Sequence, residues 1–206
     1  MKKLILFTAL VLSVLMLGGC KEKKAPANLT GGELVVENVI SADREAMYLA
    51  HGGDYRWYET GVQLKNWLDE ENDGAIEMVV NVFQVIEEYD STSFDTFVYK
   101  YQHFSDGRVV EDAIHGFWVE DYALNEELIK VTFKEAFEKV MESNYPKPHS
   151  RQVVLRKEIG PVDANPQWIF GNLHSQLYVD AVTGEVRPTS PAFPETYVGG
   201  PLGEWP

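Results

Sequence analysis

Asp69, Glu71 and Asp73 set carboxylates at alternate positions immediately ahead of Gly74. A calcium ion takes several oxygen ligands at once, and the chain that supplies them has to turn sharply beneath it. Oxygens followed by a glycine meet both needs, so Asp69, Glu71 and Asp73 are the candidate metal ligands and calcium is the one cofactor the sequence suggests. The same residues also suit a solvated turn around Asp73-Gly74. Cys20 is the only cysteine, so no disulfide can form within the chain and chemistry at sulfur has a single site. The five histidines include no pair four apart of the kind that grips zinc on a helix. His51-Gly52-Gly53 has no accompanying Gly-x-Ser-x-Gly elbow. His174 and Ser175, neighbours on a predicted strand, point to opposite faces rather than forming a nucleophile and base pair. With no catalytic set in view, a non-enzymatic protein is expected.

The elements that would position these residues fall into two similar runs, a helix followed by three strands. In the second run, Thr132-Phe133-Lys134-Glu135 fits a capping box, and Phe133, Ala136, Phe137, Val140 and Met141 recur on one helical face. Asn144, Tyr145 and Pro146 end it, since proline has no amide to donate. Strands are expected over 152–159, 167–171 and 174–182. The first run is read as a helix over 57–71, with Trp57, Leu64 and Leu68 on one face, then strands over 77–87, 95–104 and 109–119. Residues 33–40 read as a strand, and 42–51 as a short helix or a further strand ended by Gly52-Gly53. Tyr55, Trp57, Tyr58 and Trp67 suit a packed core better than a stacking surface for a ligand.

Two turns are determinants of this fold. Asp106-Gly107 between alternating runs signals a hairpin. With these two as the turn residues, Ser105 pairs with Arg108 and His103 with Val110. Phe97, Tyr99, Tyr101 and His103 then share a face with Ile114 and Trp118, and His115 lies on the other with Val98 and Phe117. In the run Leu177 to Val186, Asp180 can accept turn amides and Gly184 can take a positive φ.

The N-terminus reads as an export signal. Lys2 and Lys3 precede an apolar run over 4–17, short for a membrane span, and Leu17-Gly18-Gly19-Cys20 follows. This ending resembles the lipobox of bacterial lipoproteins. The resemblance implies cleavage after Gly19, lipid on Cys20, and membrane attachment through that lipid. Lys21 is not the aspartate associated with inner-membrane retention. The expected location is therefore the outer membrane of a diderm source, or otherwise the outer cell surface. The organisation expected is 1–19 signal peptide, 20–32 lipidated cysteine and tether, 33–125 first α+β unit, 126–188 second unit, and 189–206 a Pro/Gly-rich extension.

The 45% hydrophobic content suits a packed globular protein. The formal net charge is −14, and removal of Lys2 and Lys3 with the signal makes it −16. Such acidity, with no basic stripe beyond the tether, excludes a nucleic-acid partner, because phosphate binding needs clustered cations.

The Leu177 to Val186 hairpin, with the helix opening at Phe133-Lys134-Glu135-Ala136, resembles the PepSY domain of peptidase propeptides and related envelope proteins, over about Lys130 to Arg187. The resemblance implies an extracytoplasmic α+β module that restrains a peptidase or binds another envelope protein, with Asp180 and Gly184 as fold determinants. The whole chain also resembles envelope lipoproteins with no assigned activity. Asp69, Glu71, Asp73 and Gly74 resemble the first half of an EF-hand loop, although Val80 stands where its closing glutamate belongs. The fold expected is α+β, two tandem cystatin-like or PepSY-like units, each a helix on an antiparallel sheet. The function expected is a protein-binding envelope lipoprotein; the alternative is a small-ligand or calcium-binding one.

Overall fold

Val36, Val39, Ile40, Asp43 and Met47 recur at helical spacing, and in the computed structural model they are the buried face of helix α1 (Val36–His51). The structure describes residues 23–24, 34–90, 93–118 and 121–193. The signal segment, Cys20, most of the tether and the end of the 189–206 extension lie outside the described residues. Around α1 the chain forms β1 (Lys23–Lys24), β2 (Tyr55–Leu64), β3 (Ile76–Asp90), β4 (Ser93–Phe104), β5 (Arg108–His115) and β6 (Asp121–Tyr122). A 3-10 turn at Glu126–Leu128 leads to α2 (Phe133–Glu142), β7 (Gln152–Glu158), β8 (Gln167–Asn172), β9 (Ser175–Asp180) and β10 (Val186–Arg187).

The strands order as β1-β5-β4-β3-β2-β7-β8-β9-β10 in one antiparallel sheet. The strand after each helix lies at its centre, where Glu59 to Gln63 of β2 pair with Arg156 to Gln152 of β7. β6 takes up the edge of β7 where β2 leaves it, pairing Asp121 with Glu158. Directly opposed residues share a face, so one row crosses the sheet through Glu111, Tyr101, Asn81, Thr60, Leu155, Trp168 and Val179. Both helices pack on the face that carries this row, and the buried apolar residues from Leu34 to Ala181 form one cluster. The α+β class stands, but the two halves share one sheet and one core and are not clearly two tandem units. No helix among the described residues is long and apolar enough to cross a membrane.

α2 and its strands lie where the sequence puts them. Thr132 Oγ1 accepts from the Glu135 amide, and the Glu135 carboxylate accepts from the Thr132 amide at 2.8 Å. The first half differs from its reading in three places. Residues 36–51 are helical, because the burial of their i, i+3, i+4 face outweighs the strand preference of Val35, Val36, Val39 and Ile40. Residues 55–64 are strand, not helix. A bulge between Trp57 and Glu59 breaks the alternation by one residue and brings Trp57, Thr60, Val62 and Leu64 to one face. Third, His103 pairs with Val109, not Val110. The loop holds three residues, with Gly107 at φ +88° and its amide donating to the Phe104 carbonyl at 2.9 Å. That shift sets Ile114 opposite Val98 and His115 opposite Phe97, the reverse of the expected faces.

Gly61 sits in β2 directly opposite Val80, and a Cβ there would lie 2.8 Å from Val80 Cγ1. Gly61→Ala is expected to destabilise the protein by about 1–2 kcal/mol, read from urea unfolding midpoints, and Val80→Ala in the same chain to recover most of the loss.

Candidate functional site

The sheet face under α1 carries a chain of buried polar groups. Asp43 lies on the apolar face of α1 and is 3% exposed. Its Oδ2 accepts from Asn81 Nδ2 at 2.7 Å, and its Oδ1 meets His103 Nε2 at 2.7 Å. Thr60 Oγ1 donates to Asn81 Oδ1 and accepts from Trp57 Nε1 at 3.1 Å. α1, β2, β3 and β4 each contribute, and pairing of Thr60 with Asn81 and of Val79 with His103 fixes the spacing. Beside them burial, then the Glu111 and Asp43 carboxylates, push the Tyr101 hydroxyl well above its ordinary range. Among the described residues, His103 Nδ1 is buried without a hydrogen-bond partner.

An imidazole held by a carboxyl group is the arrangement of a general base. Here both side chains are closed off, at 4% and 5% exposure, so no substrate reaches them. What the chain of bonds does is hold α1 to three strands by directional contacts that an apolar core lacks. Asp43 was not among the sequence candidates. Its signal was a lone acid at helical spacing between Ile40 and Met47, visible only once 36–51 is read as a helix.

The candidate calcium residues are not gathered. The Asp69 carboxylate meets His149 Nδ1 at 2.9 Å, and His149 stacks on Trp67 with centroids 4.1 Å apart. Asp73 Oδ1 accepts from the Ala75 amide at 3.0 Å, and Asn72 Oδ1 from the Gly74 amide at 2.9 Å. These are the contacts of a turn. Among the described residues no three His, Cys, Asp or Glu side chains are placed to share a metal ion. Gly52 ends α1 with its amide donating to the Tyr48 carbonyl, so His51-Gly52-Gly53 is a helix terminus. Of the four aromatics read as core, Trp57 and Tyr58 are buried, Tyr55 is partly buried and Trp67 is exposed.

Both turn determinants are engaged. Asp106 Oδ1 accepts from the Arg108 amide at 3.1 Å. Asp180 Oδ1 accepts from the amides of Val182 at 2.8 Å and Thr183 at 2.9 Å, while Asn165 Nδ2 donates to Oδ2 at 3.0 Å. Burial raises the Asp180 carboxyl, but these bonds, led by Asn165, outweigh it and hold the group below its ordinary range. Gly184 has φ +75°, and its amide donates to the Asp180 carbonyl at 2.8 Å. The Ala181 carbonyl beyond Asp180 accepts from the Lys130 and Val131 amides, so this turn also holds the entry to α2.

No family model, curated protein or solved structure matches the chain. The functional reading rests on the geometry and on the residues that carry the resemblance.

Asp43→Ala is expected to cost about 3–5 kcal/mol by stranding His103 and Asn81. His103→Ala combined with it should cost less than the two single losses added, as measured in a double-mutant cycle. For Asp180 the folded carboxyl sits below its unfolded value near 3.9, so its stabilisation is present above that pH and lost as pH falls through the folded value. Asp180→Asn should cost about 1 kcal/mol at neutral pH, and the gap from wild type should close in denaturant titrations as the buffer is acidified.

Proposed function

We propose that this protein is a non-enzymatic cell-envelope lipoprotein, held at a membrane by lipid on Cys20, that binds another envelope protein through its PepSY-like half. The observation that carries the reading is Leu173, which stands at the tip of the β8–β9 turn 92% exposed. It borders a groove of about 510 Å³ whose lining includes Tyr145, Pro146, Leu177, Pro188 and Phe193. Single exposed apolar residues are ordinary, whereas apolar side chains gathered on a groove mark a contact site. Pro146 and Pro188 fix the backbone of its walls and offer no amide donors. An amphipathic segment of a partner suits a lining that also includes His174, Ser175, Gln176, Thr189 and Ser190, and a peptidase is the partner class the PepSY resemblance implies.

The order of elements supports reading the fold as two tandem units joined in one sheet. α1 with β2 to β5 and α2 with β7 to β10 each give a helix followed by an antiparallel meander, joined through the strand after each helix. With an acidic body, the protein is proposed to stand on the outer membrane of a diderm cell or the outer surface of a single-membrane one.

In the native host, a photo-crosslinking residue at position 173 should capture a specific envelope protein, and Phe193→Asp in the same chain should abolish the adduct. Absence of any adduct from correctly localised protein would overturn the binding reading. Turnover of a substrate that a single side-chain substitution abolishes would overturn the non-enzymatic one.

A further inference from the structure

β3 and β4 outrun the rest of the sheet. β2 begins with Tyr55 opposite Val85, and β5 ends with His115 opposite Phe97, yet β3 continues to Asp90 and β4 starts at Ser93. The overhang is a two-stranded ribbon, a form only marginally stable alone in water. Its two faces differ. Ile86 and Phe94 share one face with Ile114 of β5, set by the pairs Ile86 with Thr96 and Val98 with Ile114, and the register places Glu88 on that face opposite Phe94. The opposite face carries Asp95 and His115, paired at 3.2 Å, with Glu87. On the apolar side Phe94 is 56% and Phe117 60% exposed, their rings edge to face at 6.4 Å.

Lys23 pairs with Val109 and Lys24 with Arg108 in the antiparallel sense, so Lys23 is the end of β1 nearer the His115 end of β5. Cys20 precedes Lys23 by three residues and so lies within about 11 Å of it. Ile114 is five residues beyond Val109, about 17 Å along the strand. The acyl chains proposed for Cys20 would therefore bring the bilayer within reach of this end of the β4–β5 pair, where Phe94, Ile114 and Phe117 are exposed.

We infer that Ile86, Phe94, Ile114 and Phe117 form a membrane-contact face that seats in the headgroup region of the bilayer holding the anchor, a step that rests on the lipid-anchor reading. An apolar face of a few side chains backed by Asp95, His115 and Glu87 fits the interface and not the hydrocarbon interior. The contact fixes the orientation of the body. Leu173, at the opposite end of the strand register from Phe94, stays clear for a protein partner.

The test uses the intact lipidated protein in vesicles of phosphatidylethanolamine with a minor fraction of phosphatidylglycerol. Acylated Cys20 has no free thiol, so Phe117→Cys takes a polarity-sensitive dye at one position, and Leu173→Cys serves as the control. Vesicle flotation reports the anchor, and brominated lipid reports dye immersion. Flotation with quenching at position 117 and none at 173 is the result expected, with the quenching lost in unlipidated Cys20→Ser protein. Flotation without quenching at 117 overturns the contact face and leaves the anchor standing. Failure to float overturns the anchor and the contact face with it. A dye shift at 117 that depends on protein concentration and needs no vesicles assigns the face to a second copy and also overturns the proposal.

Discussion

The pairing of β2 with β7 is the constraint on which the rest of this structure depends. Five residues of each strand meet there, and their register aligns the rows that cross from one half to the other. Slipping it by one residue would set Val153 and Leu155, and with them the paired Phe170 and Trp168, on the face opposite Thr60 and Val62, breaking the cluster at its middle. The bulge after Trp57 serves the same register, because it returns Thr60 and Val62 to the helix side after Trp57 has already been placed there. Other links cross between the halves. Glu37 of α1 accepts from the Phe133 amide at the start of α2 at 2.7 Å, and Arg44 pairs with Glu126. They are single side-chain contacts, whereas the strand pair fixes the register of every row.

Along one row the sheet changes character at that junction. Glu111, Tyr101, Asn81 and Thr60 precede it, and Leu155, Trp168 and Val179 follow. Under α2 the row is packed by shape, with Phe133 edge-on to Trp168 at 5.7 Å and one polar contact, Trp168 Nε1 to the Val131 carbonyl at 2.9 Å. Under α1 the same depth is filled by hydrogen-bonded groups. Apolar packing tolerates a helix sliding by part of a turn better than directional bonds do, so Asp43 holds α1 at one position along its axis.

The second half was legible because its signals are local. A capping box spans four residues, and the Asp180 to Gly184 turn carries its own bonds, so neither needs the rest of the chain to be recognised. The first half depends on contacts that no local window contains. Asp43 meets Asn81 and His103 across 38 and 60 residues, and nothing near Asp43 in sequence marks it as a partner of either. β2 was hidden for a different reason, since one bulge converts a strand's alternation into spacing that also fits a helix. Alternate carboxylates are equally the vocabulary of turns, and here Asn72 and Asp73 accept from the amides of Gly74 and Ala75.

The ribbon beyond Val85 and Phe97 bears on the same question of what a long strand is for. Extra pairing adds little where neither β2 nor β5 flanks it, and exposed phenylalanines beside open strand edges invite association between chains. The segment after β5 covers part of it, the Trp118 amide donating to Gln84 Oε1 at 2.7 Å and the Gly116 amide to the Thr96 carbonyl at 2.8 Å. Phe94 and Phe117 stay more than half exposed beside it. A soluble protein gains from trimming such a ribbon or charging both its faces. An anchored one, as proposed for this chain, can keep it, because a tether would place a low-polarity surface within reach while the side carrying Asp95 and His115 meets water.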